Sequence, residues 1–295
     1  MSARSFSVII QKKIPQFNKK IKVDSDKSLS IRAFILGSIC QGVSVAKNVL
    51  ESEDVKSTIN SCKKLGVKIK KINSGSYKIY GRGLGSFSIK RNTELNFSNS
   101  GTASRLLIGA LSTNPNISVI VKGDHSLNKR SMKKLIDLLK EFGATFLPKN
   151  KFNFPLKMIS SEMPVGINYK AGISAQLKSA AILAGLNSYG KTTIKEQVVS
   201  RDHTENLLKN NPQTIQIKKG SKKIINIQGK NFLKPINVTI GGDPSSAAFF
   251  TALTLLNKNS TLTIKNVGLN PTRIGFYKIL KKHNAKIKFL NLKKK

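Results

Sequence analysis

Tryptophan is absent from this chain, and histidine and cysteine are scarce, with three and two residues. Two cysteines, Cys40 and Cys62, cannot build a disulfide framework or a cysteine-rich zinc site, which points to a reducing compartment. His125, His203 and His283 lack the spacing of a metal-binding motif such as H-E-x-x-H, so no metal is expected. No apolar run approaches the ~18 residues of a membrane span. The longest candidate, Ser245 to Leu256, carries serines and threonines. The opening M-S-A-R-S-F-S-V-I-I-Q-K-K lacks the apolar stretch and small-residue cleavage site of a secretory signal, so a cytoplasmic setting is expected. There is no G-x-G-x-x-G after a strand and no Walker A motif, which disfavours a plain Rossmann or P-loop site.

Acidic residues are the other shortage: 14 Asp and Glu face 52 Lys and Arg, a net charge of +38. A nucleic-acid binder is the first suspicion. The split of the bases argues against it, since only 8 of them are Arg and the Lys are spread along the whole chain. Phosphate and base-edge recognition uses Arg more heavily. A solvated Lys-rich surface accounts for most of the excess; binding of a polyanion or of an anionic substrate stays open.

What is present is a repeat. Four segments open with small hydroxyl residues and run on as apolar helices: from Lys27, from Gly101, from Ser174 and from Pro244. Their starts are roughly 70 to 74 residues apart. Ser, Thr and Asp there suit N-caps, and the apolar density beyond implies helices buried on most sides. Strand-like runs follow: Val43 to Lys47, Ile117 to Val121, Thr192 to Lys195 and Thr261 to Ile264. Amphipathic helices come next, over Asp54–Leu65, Ser131–Phe142, Asp202–Leu208 and Ile274–His283. Three of these stop at a small residue and re-enter a strand, at Gly66, Gly143 and Asn284; Pro212 ends the other. The pattern predicts an α/β repeat architecture with three complete copies and part of a fourth.

The helix starts carry the candidate chemistry. Lys27, Ser28 and Arg32 crowd the first, where free N–H groups and the positive dipole end suit an anion. Gly101 permits close backbone approach at the second. Lys129 and Arg130 follow a strand at the mouth of a helix. Ser174, Ala175 and Gln176 open the third, and Ser200 to His203 repeats the strand-to-helix position. His203, beside Asp202, is expected to be a capping or packing residue. Neither cysteine lies in a loop that would mark a nucleophile.

Together these residues resemble a known family. D-K-S-L-S-I-R (26–32), N-S-G-T-A-S-R (99–105), K-R-S-M (129–132), S-A-Q-L-K-S-A (174–180), S-R-D-H-T-E (200–205), G-D-P-S-S-A-A-F (242–249) and G-L-N-P-T-R (268–273) are similar to the successive signatures of the EPSP synthases, in order and spacing. Ser131 departs from the pattern, where the family usually has Pro. The sister UDP-N-acetylglucosamine enolpyruvyl transferases share the fold but use a reactive Cys in a mobile loop, which has no match here.

The resemblance implies transfer of the enolpyruvyl group of phosphoenolpyruvate to the 5-hydroxyl of shikimate 3-phosphate, with release of phosphate and without metal or organic cofactor. It implies a two-lobed enolpyruvyl transferase fold of repeated α/β units, with about four of six repeats in this chain. Residues 25–241 would form a complete three-repeat lobe, and 1–24 with 242–295 an incomplete second lobe. Lys27, Ser28, Arg32, Ser174, Ala175, Gln176 and Ser200 would hold shikimate 3-phosphate. Lys27, Gly101, Arg130 and Gln176 would hold phosphoenolpyruvate, Lys27 also being the one catalytic residue carried over. The family's acid–base carboxylates belong to motifs with no match here, so activity of these 295 residues alone is not expected. A monomer with small anionic substrates, and no membrane or nucleic-acid partner, is expected. The alternative is a non-catalytic polyanion- or nucleic-acid-binding repeat protein.

Overall fold

The structure is a computed structural model and describes residues 9, 11, 13–90 and 92–292. In chain order, the first elements are β1 (Asn18–Lys22), α1 (Lys27–Ile39), β2 (Gln41–Lys47), α2 (Glu53–Lys64), β3 (Lys68–Asn73) and β4 (Ser76–Arg82). Next come β5 (Thr93–Asn96), α3 (Gly101–Leu111), β6 (Ser118–Lys122), α4 (His125–Asn128), α5 (Lys133–Glu141), β7 (Thr145–Leu147) and β8 (Leu156–Ile159). A third set follows: β9 (Asn168–Ala171), α6 (Ala175–Leu186), β10 (Lys191–Glu196), α7 (His203–Leu208), β11 (Ile215–Lys219) and β12 (Lys223–Gln228). The last described elements are β13 (Asn237–Thr239), α8 (Pro244–Leu256), β14 (Thr261–Lys265) and α9 (Gly275–Lys282).

These elements fall into two compact units. The larger is Ser25–Gly241 with Asn270–Thr272; the smaller holds the described residues up to Asp24, Gly242–Leu269 and those from Arg273 on. In the larger unit each repeat makes a four-stranded sheet. The orders are β13-β2-β4-β3, β5-β6-β8-β7 and β9-β10-β12-β11. In the second and third sheets the strand before the buried helix pairs parallel with the strand after it, β5 with β6 and β9 with β10. A parallel pair needs a crossover, and the buried helix is that crossover. An antiparallel hairpin then completes each sheet.

The first sheet takes its leading strand from far along the chain: β13 pairs parallel with β2, Asn237 opposite Val45. Strand β1, which precedes α1, instead pairs parallel with β14 in the smaller unit, Asn18 opposite Thr261. None of the four leading strands stands out in the sequence. Asn-Lys-Lys-Ile-Lys, Thr-Glu-Leu-Asn, Asn-Tyr-Lys-Ala and Asn-Val-Thr are short and mostly polar, so no two-residue alternation stands out.

Helices α1, α3 and α6 form the centre of the larger unit. Ser30 to Ile39 and Gly101 to Ser104 are buried without a break, as are Lys178 to Leu186. Helices α3 and α6 pack so closely that a Cβ on Gly109 would sit 2.8 Å from the Ala180 backbone. Amphipathic α2 lies outside them and buries Val55, Ile59 and Cys62, with Glu53 and Asp54 in its first turn and Lys63 and Lys64 in its last. That charge order matches the helix dipole. Burying a Leu, Ile or Phe contributes about 1.5–3 kcal/mol. One continuous apolar cluster runs from Ile31 to Ile240, while the smaller unit's buried cluster is Ala247, Ile274 and Tyr277. Stability therefore resides in the larger unit.

Two expectations need correction. The second amphipathic helix begins at Lys133, not Ser131, and the Ser131 hydroxyl accepts from Lys133 N in the preceding turn. The strand predicted from Asn284 does not form: residues 284–292 contain no ladder. In the other repeats that strand is held by the next one, as β3 by β4. Among the described residues nothing offers 284–287 such a partner, and a lone strand leaves its N–H and C=O groups to water.

Candidate functional site

Three helix N-termini of the larger unit define the site. Helix α1 is capped by Asp26, whose carboxylate accepts from Leu29 N at 2.9 Å. Arg32, one turn in, is almost fully buried. Its guanidinium donates to the Ser28 carbonyl at 3.0 Å, to Thr204 Oγ1 at 3.0 Å and to Ser179 Oγ at 3.2 Å. Lys27 is half exposed and pairs with Asp54 at 2.7 Å.

Helix α3 is capped by Ser100, which accepts from Ala103 N at 3.1 Å. Arg105 Nη1 reaches back to the Gly101 carbonyl at 3.0 Å and across to Gln176 Oε1 at 3.1 Å. Arg130 is held by the side chains of Asn99 and Ser126. The two guanidiniums flank Gly101: a Cβ there would lie 2.6 Å from Arg105 Nη1 and 3.3 Å from Arg130 Nη1. Burial, and then the charge of Arg130, pull the Arg105 guanidinium below its ordinary value. These acceptors of Arg105 and Arg130 are neutral, so an anion arriving here would favour the charged form of both guanidiniums.

Helix α6 is capped by Ser174, which accepts from Leu177 N at 3.3 Å. Gln176 binds α3 twice, accepting from Arg105 and donating to Thr102 Oγ1 at 2.9 Å. A small hollow opens where these starts meet, lined by Ser28, Arg32, Thr102, Ala175, Gln176, Arg201 and His203. It presents cations, hydroxyls, an amide and helix N-termini, which is the chemistry of a phosphate or carboxylate site.

Of the residues selected from sequence, Ser28, Arg32, Ala175 and Gln176 line this hollow. Gly101 adjoins Arg105 and Arg130. Lys27 is turned to Asp54, Ser174 is a cap, and Ser200 is buried with its N and Oγ donating to Glu196. His203 is buried and lines the hollow rather than capping α7. Thr102, Arg105, Ser179 and Thr204 appear in the sequence only as motif letters, and Arg201 only as part of the Ser200–His203 segment. Arg105 and Thr102 sit inside the N-S-G-T-A-S-R motif, where a polar residue facing another helix start was the available signal.

No carboxylate is among the residues that line the hollow. Asp202 accepts from Asn206 at 3.0 Å and Asn270 at 2.7 Å. Glu205 is buried against lysines, and Asp243 caps α8 and pairs with Arg273 at 2.7 Å. Burial pushes the thiol of Cys40 up to about 12 and that of Cys62 to about 11, so neither is a nucleophile at neutral pH. Among the described residues no three His, Cys, Asp or Glu gather as a metal-holding group.

A family model described as EPSP synthase (3-phosphoshikimate 1-carboxyvinyltransferase) matches residues 11–293. The chain belongs to the EPSP synthase family. It is 38% identical over 285 residues to the 3-phosphoshikimate 1-carboxyvinyltransferase of Zymomonas mobilis, covering 96% of this chain and 62% of that protein. Identity to the Petrotoga mobilis enzyme of the same name is 40% over 284 residues, covering 94% and 63%. The fold matches the solved EPSP synthase of Acinetobacter baumannii with a TM-score of 0.81 and 33% identity, over 92% of this chain and 60% of that one. The α/β repeat architecture is thus that of the EPSP synthases. The chain spans about 60% of the length of these relatives.

Proposed function

We propose that this EPSP synthase chain binds shikimate 3-phosphate at the hollow of its larger unit, as part of an enzyme that transfers the enolpyruvyl group of phosphoenolpyruvate. The observation that carries this is the meeting of the α1, α3 and α6 N-termini around Ser28, Arg32, Thr102, Ala175 and Gln176. A phosphate monoester dianion matches that set of donors. The second anion, phosphoenolpyruvate, falls to Arg105 and Arg130 on either side of Gly101. Lys27 serves both ligands. Its pair with Asp54 leaves the ammonium half exposed and is worth about 1 kcal/mol, too little to hold it against a dianion.

In the proposed reaction the 5-hydroxyl of shikimate 3-phosphate gives up its proton as its oxygen adds to C2 of phosphoenolpyruvate, while C3 gains a proton. The tetrahedral adduct then loses phosphate from C2 and a proton from C3. Both halves need a proton-transfer group. No carboxylate lines the hollow, so these residues supply binding and charge stabilisation, and the proton traffic belongs to the remainder of the family's fold. A cytoplasmic monomer is the accompanying expectation.

The test is phosphate release from phosphoenolpyruvate with shikimate 3-phosphate present. Residues 1–295 alone should turn over negligibly. Adding the part of the Zymomonas mobilis relative that this chain does not cover, as a separate polypeptide, should raise the rate. Robust turnover by the 295 residues alone would overturn the division of labour and make Asp202, Glu205 and Asp243 the carboxylates to replace first.

A further inference from the structure

Four charged side chains of the larger unit lie outside the lining of the hollow. Lys178 on α6, Glu196 on β10, Glu205 on α7 and Lys223 on β12 meet out of water, their side chains exposed by 0, 0, 1 and 6%. Lys178 Nζ lies 2.9 Å from Glu196 and 2.7 Å from Glu205; Lys223 Nζ lies 3.1 Å from Glu196 and 2.9 Å from Glu205. The signs alternate around the ring and cancel. Burial alone would raise the Glu196 carboxyl, but Lys178 and the two bonds from Ser200 bring it below its ordinary value. Well-packed apolar side chains often replace such rings without loss of stability. Stability alone therefore does not explain this one.

Its position does. Glu196 Oε1 accepts from Ser200 N at 3.0 Å and Ser200 Oγ at 2.7 Å. A carboxylate only accepts, so one oxygen fixes both donors of Ser200. Lys178 lies two residues beyond Gln176 and one before Ser179; Glu205 lies one beyond Thr204. Ser179 and Thr204 hydrogen-bond each other at 2.8 Å and both accept from Arg32. The ring thus ties the wall of the hollow carrying Ala175 and Gln176 to the wall carrying Arg201 and His203.

We infer that Glu196, its charge balanced by Lys178, is a positioning residue that holds Ser200 and with it the wall carrying Arg201 and His203, and thereby sets the affinity of the hollow for a phosphate ester. The inference deepens, and rests on, the shikimate 3-phosphate reading.

Two variants of the 295-residue chain test it at balanced charge, leaving Lys223 with Glu205. Lys178→Met/Glu196→Gln keeps an amide oxygen to accept from Ser200; Lys178→Met/Glu196→Leu removes it. Affinity for shikimate 3-phosphate should stay within about twofold of the parent in the Gln variant and fall about tenfold or more in the Leu variant. With Ser200→Ala added to both, the difference between them should vanish. Amide hydrogen exchange supplies a readout that needs no ligand: residues 198–203 should exchange at least about tenfold faster in the Leu variant, with β6 and β8 unchanged. Should the Leu variant fail to fold, Lys178→Met/Glu196→Met takes its place, with the same outcomes required. Unaltered exchange and affinity without the acceptor would overturn the positioning role. Failure of the parent chain to bind shikimate 3-phosphate would instead remove the functional reading, leaving exchange to decide whether the ring holds the segment.

Discussion

Arg105 and Gln176, 71 residues apart, are joined by a 3.1 Å hydrogen bond from guanidinium to side-chain carbonyl. The bond joins the N-terminal ends of two helices from successive repeats, and Gln176 returns a second bond to Thr102. Gln176→Leu should keep the fold, since the residue lies at a solvent-accessible hollow. It removes an amide from the lining of the hollow, and with it the acceptor that orients Arg105. Affinity for shikimate 3-phosphate should fall about tenfold, or about 1.4 kcal/mol, measured by calorimetry against the parent chain.

Gly101 is a second lever on the same cations. Gly101→Ala puts a methyl 2.6 Å from Arg105 Nη1 and 3.3 Å from Arg130 Nη1. Guanidinium ends can move aside, so the melting temperature should change by no more than a few degrees. Anion binding should suffer instead, and binding of phosphoenolpyruvate more than that of shikimate 3-phosphate. Equal losses for both ligands would place Gly101 elsewhere than beside the second anion.

How much of this was readable in the sequence depends on how local the cause is. The helix starts were readable because a cap and an apolar run lie side by side in the chain: Asp26, Ser100, Ser174 and Asp243 each cap a helix at the predicted place. The leading strands were not, because β13 becomes a strand only by adding to β2, nearly 200 residues earlier. Lys178 was hidden for another reason. In a chain with 52 basic residues a lysine reads as surface, and only the carboxylates of Glu196 and Glu205, from two other elements, make its burial tolerable. Arg105 and Gln176 were both visible as motif residues, but their pairing across 71 positions was not.

Acid stability should depend on Glu51. Lys71 first, then Tyr77 and the Gly75 amide, lower its carboxyl from 4.5 to about 2. A folded-state value below the unfolded one means that the contribution is complete above about pH 4.5 and is lost as pH falls towards 2. Glu51→Gln should therefore be less stable than the parent at pH 6, with the gap closing as pH drops through that window. Urea melts at four pH values measure it; a gap that widens on acidification has the wrong sign.

The thiols should be silent. Cys40 and Cys62 are fully buried, and burial holds both well above neutral pH. A thiol reagent at pH 8 should label neither within minutes and both in denaturant. Rapid labelling of Cys62 without denaturant would show that α2 opens readily.

Helix α8 should make the 295-residue chain associate when it is studied by itself. Phe249 and Leu256 expose 79% and 87% of their surface, and Phe250 and Leu255 are also exposed. Such a patch binds apolar dyes and favours self-association. Phe249→Ser with Leu256→Ser should reduce dye binding and light scattering while leaving shikimate 3-phosphate affinity unchanged.

The central claim is that the meeting of three helix starts is a site for shikimate 3-phosphate rather than one part of a generally basic surface. Calorimetric titration of the 295-residue chain with shikimate 3-phosphate, beside inorganic phosphate and duplex DNA across a salt series, tests it most directly. The account predicts saturable one-to-one binding of shikimate 3-phosphate, tighter than that of phosphate, with a shallow salt dependence and a large loss on Arg32→Met. Indifference to shikimate 3-phosphate, together with DNA binding that falls steeply with salt, would contradict it and favour the polyanion binder.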